Sequence, residues 1–176
     1  MLYSGCKNMK NKKYRPGSLI VLFVLMATVA GGWYLFVRAH TSPLPKQISS
    51  QLKFIPFVTQ KTAQVSLPEA VTYNSSAQVL TYQTYFSGTH LVTSEQPTPE
   101  SFSDVPQAYN ALINKMRGKD NFDSVNGTVN ITYPVELNGT QTAVMNSKGV
   151  LIFVKPDKNL STNDWKQFFN NLQISQ

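Results

Sequence analysis

Apolar and polar positions follow three different regimes along this chain. From Ser18 to Val37 (SLIVLFVLMATVAGGWYLFV) the chain is apolar without interruption and holds neither charge nor proline. At about 1.5 Å per helical residue the run reaches about 30 Å, the thickness of a bilayer's hydrocarbon core. Its Leu, Ile, Phe and Val contribute at most roughly 3–6 kcal/mol towards insertion, and the Lys or Arg that would cost about 2.5–3.5 is absent. The pattern predicts a transmembrane helix over 18–38. It follows a tail over 1–17 and precedes a spacer over 39–50 that contains Pro43 and Pro45, which cannot continue a membrane helix.

Beyond residue 50 the period falls to two. Gln51 to Thr59 (QLKFIPFVT) has the composition of an edge strand, and Pro68 to Asn74 leads into a turn at Asn74-Ser75-Ser76. Gln78 to Phe86 alternates so that Leu80, Tyr82 and Phe86 share one face. After Ser87-Gly88-Thr89, His90 to Glu95 returns as the second strand of a hairpin, with His90 towards solvent. Phe122 to Val125, Thr128 to Tyr133, Gln141 to Met145 and Val150 to Lys155 form a second β region. It is punctuated by Asn126-Gly127, Asn138-Gly139 and Ser147-Lys148-Gly149.

The period is helical in two places. Tyr109, Leu112, Ile113 and Met116 form one stripe in a helix from Pro106 to Arg117, with Asp104 as its cap and Gly118 as its end. Trp165, Phe168, Phe169 and Leu172 form another stripe, after a capping box at Ser161–Asp164. This order predicts an α+β domain over 51–176, an antiparallel β-sheet with two helices packed on one face.

Charge sets the orientation. Lys7, Lys10, Lys12, Lys13 and Arg15 precede the span, and only Arg38 and Lys46 follow it closely. The basic tail belongs on the cytoplasmic side and the domain outside, in a single-pass cell-membrane protein. A secretion signal has an apolar region of only about 7–15 residues before its cleavage site. Trp33 to Val37 prolong this one past Ala27, Ala30 and Gly31. The longer run favours an uncleaved signal anchor.

The net charge of +7 suggests a polyanion partner until it is divided by region. Past residue 40, Lys46, Lys53, Lys61, Lys115, Arg117, Lys119, Lys148, Lys155, Lys158 and Lys166 face nine acidic residues. A near-neutral domain has no footprint for nucleic acid. Small-xxx-small spacing at Ala27/Gly31 and Thr28/Gly32 lets two spans approach, but a monomer is the favoured reading.

The single cysteine, Cys6, lies in the tail. It precedes the apolar run, whereas a lipoprotein cysteine follows one. No intrachain disulfide is available, and His40 and His90 have no zinc-ligand spacing. The sequons at Asn74, Asn126, Asn130, Asn138 and Asn159 read as turn and strand residues.

No nucleophile elbow, phosphate loop, metal cluster or cofactor motif occurs, so no catalytic, cofactor or metal residue is assigned. Glu95 and Glu100 flank a proline segment and read as exposed loop carboxylates, with nothing local to raise the pKa of either. That segment, Gln96, Pro97, Thr98, Pro99 and Glu100, is too proline-rich to join a sheet. As a projecting, entropically restricted loop it is the candidate interaction site.

Four segments carry a family resemblance: Leu52 to Val58 (LKFIPFV), Ser94 to Phe102 (SEQPTPESF), FDSVNGT from Phe122, and the closing DWKQFFNNLQI. With the basic tail, single anchor and spacer, the layout resembles uncharacterised single-span, membrane-anchored extracytoplasmic proteins of small-genome bacteria. The C-terminal half is similar to small α+β domains of anti-sigma-factor-like and sporulation envelope proteins, where a β-meander also ends in an amphipathic helix. No activity and no catalytic residue carries over from the resemblance; the whole reading leads to the expectation of a non-enzymatic envelope protein that binds or senses another envelope protein or wall component. An accessory pilin-like or secretion-assembly subunit is the alternative, and an envelope glycan hydrolase is the least favoured.

Overall fold

Tight turns build most of the sheet. Ser87-Gly88 and Lys148-Gly149 both take positive φ (48° and 74°; 50° and 76°), the conformation that a two-residue hairpin turn needs to match strand twist. A computed structural model describes residues 43–104, 106–133 and 139–175. The predicted tail and span lie outside the described residues. Among the described residues, no helix is long and apolar enough to cross a membrane.

In chain order the elements are α1 (Lys46–Ser49), β1 (Phe57–Thr59), β2 (Glu69–Asn74), β3 (Val79–Phe86) and β4 (Thr89–Pro97). Next come α2 (Glu100–Asp104), α3 (Pro106–Lys115), β5 (Asp120–Ser124), β6 (Gly127–Thr132) and β7 (Thr142–Ser147). The chain closes with β8 (Val150–Pro156), α4 (Thr162–Asn170) and β9 (Leu172–Ile174). Seven strands form one antiparallel sheet in the order β2-β3-β4-β8-β7-β6-β5, and β1 pairs with β9 in a separate ribbon. The expected α+β class holds. The chain lays down one edge hairpin pair, crosses through α2 and α3 to the far edge, and meanders back until β8 closes on β4.

The expected placement of two helices on one face does not hold. Trp165, Phe168 and Phe169 of α4 pack with Ala143, Met145, Ile152 and Val154. Ile113, Tyr109 and Met116 of the α3 region pack with Val144, Leu151 and Phe153, the alternate residues of the same two strands. Side chains alternate across a strand, so the two helices lie on opposite faces. β7 and β8 are thereby covered on both sides, which is why their residues read as nearly continuous apolar runs.

A third cluster joins Leu44 to Val58, Leu80 and Tyr82, with Ile48, Leu52 and Phe54 against it. The stretch read as spacer therefore contributes to the core from Leu44 onward.

Two helix boundaries also differ from expectation. A separate short helix, Glu100–Asp104, precedes the one from Pro106, and Asp104 is its last residue. The capping box at the last helix forms as read: Ser161 Oγ accepts from Asp164 N at 3.2 Å, and Asp164 accepts from Ser161 N at 3.3 Å. That helix stops at Asn170, however, and Leu172 belongs to β9. Asn126 Nδ2 donates to Phe169 O (3.0 Å) and to Leu172 O (2.8 Å), occupying one carbonyl at the helix end and one at the start of β9 where the chain turns to pair with β1.

Candidate functional site

The most unusual chemistry lies where β1 crosses the sheet. Strand parity puts Glu95 on the same face as Leu91 and Thr93, directly opposite Leu80 and Ile152. Its side chain is completely buried, which corrects the expectation of an exposed loop carboxylate. Phe57 N donates to Glu95 Oε2 at 2.9 Å. Tyr82 Oη, also fully buried, lies 3.1 Å from Glu95 Oε1 and 3.0 Å from Phe57 O. A phenol has one proton for these two oxygen neighbours. If it donates to Phe57 O, Glu95 must carry the proton that closes the ring Phe57 N–H, Glu95, Tyr82, Phe57 C=O.

Electrostatics favours the same protonation state. Burial raises the Glu95 carboxyl from the usual 4.5 to about 8, against the opposing hydrogen bonds from Phe57 and Tyr82. Burial, then the neighbouring Glu95, holds the Tyr82 phenol well above its ordinary value. Both shifts favour the uncharged form of the group. The ring also answers an accounting need, because it satisfies the Phe57 N–H and C=O, which point away from the ribbon towards the sheet.

The proposed interaction loop is divided by the fold. Gln96 and Pro97 belong to β4 and pair with Leu151 and Val150, so the expectation that prolines keep this segment out of the sheet is overturned. Thr98 N donates to Gly149 O at 2.8 Å, which leaves Pro97 at a ladder position that needs no N–H. Thr98 Oγ1 donates to Asn146 Oδ1 at 2.6 Å. Pro99 O accepts from Phe102 N at 2.8 Å, and Glu100, the exposed member, opens α2. Glu95 and Glu100 form no paired site, since one is enclosed in the core and the other is exposed.

A concave surface not singled out in the sequence lies beside α3 and β5–β6. Asn110 and Asn114 lie one helical turn apart, and Asn121 faces Asn130 across the β5–β6 pair. With Lys119, Asp120, Gly118 and Ile113 they line a cleft of about 340 Å³. Asn130 Nδ2 donates to Tyr109 Oη at 3.1 Å, fixing strand to helix. No other hydrogen bond engages these amide side chains among the described residues, and Lys119 beside Asp120 leaves the cleft without net charge. Each amide offers two donors and an acceptor. The signal available in the sequence was the i, i+4 pair of asparagines next to the apolar stripe.

His90 is half-buried on the face away from Glu95, with Nε2 3.0 Å from Gln83 Oε1 and its ring 5.2 Å from that of Tyr85. Asn74 Oδ1 accepts from Ser76 N and Ala77 N in a turn, and Asn159 Oδ1 accepts from Gln141 N. With Asn126 and Asn130 these sequon asparagines have structural partners; Asn138 lies outside the described residues. Among the described residues, no group of three or more His, Cys, Asp or Glu converges on a metal position. Compared with protein-family models, curated proteins and solved structures, the chain matches none.

Proposed function

We propose that this chain is a membrane-anchored extracytoplasmic binding protein of the cell envelope, without enzymatic activity, whose ligand is an uncharged polar envelope component. The observation that carries this reading is the amide cleft. Asn110, Asn114 and Asn121 bring to it side-chain donors and acceptors without partners among the described residues, its charge is balanced, and its volume lies at the small end of ligand pockets. Hydroxyl and acetamido groups, each both donor and acceptor, complement such a lining. A wall saccharide presents such groups. The burial of Glu95 supports the non-enzymatic part, since the hydrolase alternative loses one of its two carboxylates. The uncharged Ser18–Val37 run and the basic residues before it support the anchoring and its orientation.

Saturation-transfer NMR on the full chain in lipid nanodiscs, with N,N′-diacetylchitobiose as probe, tests the site. Transfer to the acetamido and ring protons is expected, with loss in Asn114→Ala/Asn121→Ala at unchanged thermal stability. Equal transfer to the double variant would remove the cleft from the proposal. Protease added to spheroplasts should digest the domain and spare an N-terminal tag, and protection of the domain would reverse the orientation.

A further inference from the structure

The two-stranded ribbon is attached to the sheet by unusual means. The outward backbone groups of Phe57 are satisfied by two side chains, Glu95 and Tyr82, and by no neighbouring strand. We propose that the Phe57–Glu95–Tyr82 ring is a proton-controlled latch, which holds β1 on the sheet while Glu95 is protonated and loosens it when that proton leaves.

Three contacts of 2.9–3.1 Å join one N–H, one carbonyl, one phenol and one carboxyl group. With Glu95 protonated every donor has an acceptor. With Glu95 ionised the single phenolic proton must choose between the carboxylate and Phe57 O. The carboxylate takes it, being the stronger acceptor, and two oxygens at 3.0 Å are left without a proton between them. The loss falls on β1, whose carbonyl is abandoned inside the core.

No compensating charge is at hand. Facing this part of the sheet are apolar side chains such as Val58, Leu80, Ile152 and Leu44, together with Tyr82 of β3 and Tyr73 of β2. The titratable groups among them are the two tyrosines. Lys46 and Lys53 of that segment are exposed, as is Lys166 on α4, and Asp164 on α4 is engaged in its capping box. The raised proton affinity of Glu95 accordingly has burial as its leading cause, with no charged neighbour among its causes.

The direction follows by linkage. Once β1 lifts, Glu95 meets water and returns to the usual carboxylate pKa, so the open state binds fewer protons than the closed one between about 4.5 and about 8. The opening constant rises with pH through that interval, by up to about tenfold per pH unit, and levels off above it. This range spans neutrality. β1 is the first strand of the domain, and loosening it leaves the α3 side of the sheet packed.

The test is hydrogen–deuterium exchange on the full chain in lipid nanodiscs at pH 5, 6.5 and 8, corrected for intrinsic rates. Amides of 57–59 and 172–174 should lose protection by roughly tenfold per pH unit, while those of β7 and β8 keep theirs. Glu95→Gln reproduces the neutral ring, with its amide donating to Tyr82 Oη, and should hold β1 closed at every pH. A pH response of the same size in the variant, or none in the wild type, would overturn the latch. Should the variant fold poorly, the ¹³C-labelled carboxyl of Glu95 is followed in the wild type. Titration near 8 supports the proposal, and titration in the ordinary carboxylate range refutes it.

Discussion

Gln141, at the entrance to β7, offers a quantitative test of how the sheet is joined to α4. Its Oε1 accepts from Trp165 Nε1 at 3.1 Å and from Leu160 N at 2.8 Å, and its Nε2 donates to Tyr133 Oη at 3.0 Å. Trp165 is fully buried and Gln141 is 7% exposed, so water cannot simply replace the amide. Gln141→Leu keeps the volume and orphans two buried donors, each worth about 1–3 kcal/mol when unmatched. Leu160, at 9% exposure, lies close enough to the surface for partial rescue, which points to a total of roughly 2–4 kcal/mol. That is a large part of the roughly 5–15 kcal/mol that holds a domain folded.

The indole share can be isolated. Trp165→Phe removes the donor in advance, so Gln141→Leu should cost about 1–2 kcal/mol less in that background. Urea unfolding of residues 42–176, followed by far-UV circular dichroism, measures all four corners of the cycle. A cost below about 0.5 kcal/mol for the single variant, or the same cost with and without the indole, would refute this account of the junction.

Three further outcomes are expected. Stability of the same fragment should be greatest below about pH 4.5 and decline as pH rises to about 8, because the folded state retains the Glu95 proton that the unfolded chain releases. At about 1.36 kcal/mol per pH unit the loss reaches roughly 4–5 kcal/mol, and Glu95→Gln should flatten this part of the profile in a pH series of denaturant midpoints. A fragment beginning at Ile48 should be less stable than one beginning at Ser42 by about 1.5–3 kcal/mol, since it lacks Leu44, which is 4% exposed; equal midpoints would place Leu44 outside the core. Gly118→Ala would drive a Cβ into Ile113 Cγ2 and to 3.3 Å from its carbonyl oxygen, and a loss of about 1–3 kcal/mol is expected in the same unfolding assay.

Much of this architecture is local and could be read from the chain. The hairpin at Ser87-Gly88, the turn at Lys148-Gly149, the inward set Leu80, Tyr82 and Phe86, and the capping box at Ser161 all lie where their patterns put them, whereas the β5–β6 turn falls on Val125-Asn126, one residue before the expected Asn126-Gly127. Parity also held a clue to Glu95, which is in phase with the inward Leu91; the acidic side chain and the adjacent proline obscured it.

Other features depend on contacts between distant segments. The run Val150 to Val154 shows that both faces of β8 are covered, but nothing local says that α3 takes one face and α4 the other. Pro97 enters a central strand because a partner 52 positions or so later arranges the ladder around its missing N–H. Leu172 leaves its helix because β1, more than a hundred residues earlier, offers a strand and Asn126 takes one carbonyl at the helix end and one at the start of β9.

Period, caps and turn residues act over a few bonds, so the sequence by itself determined the main hairpin strands and the apolar sides of the two longer helices. Burial of Glu95 against Phe57 and Tyr82, and gathering of four asparagines around one cleft, required chain segments tens of residues apart to meet. Only the tertiary structure decided those, because solvent exclusion and hydrogen-bond closure are properties of the packed whole.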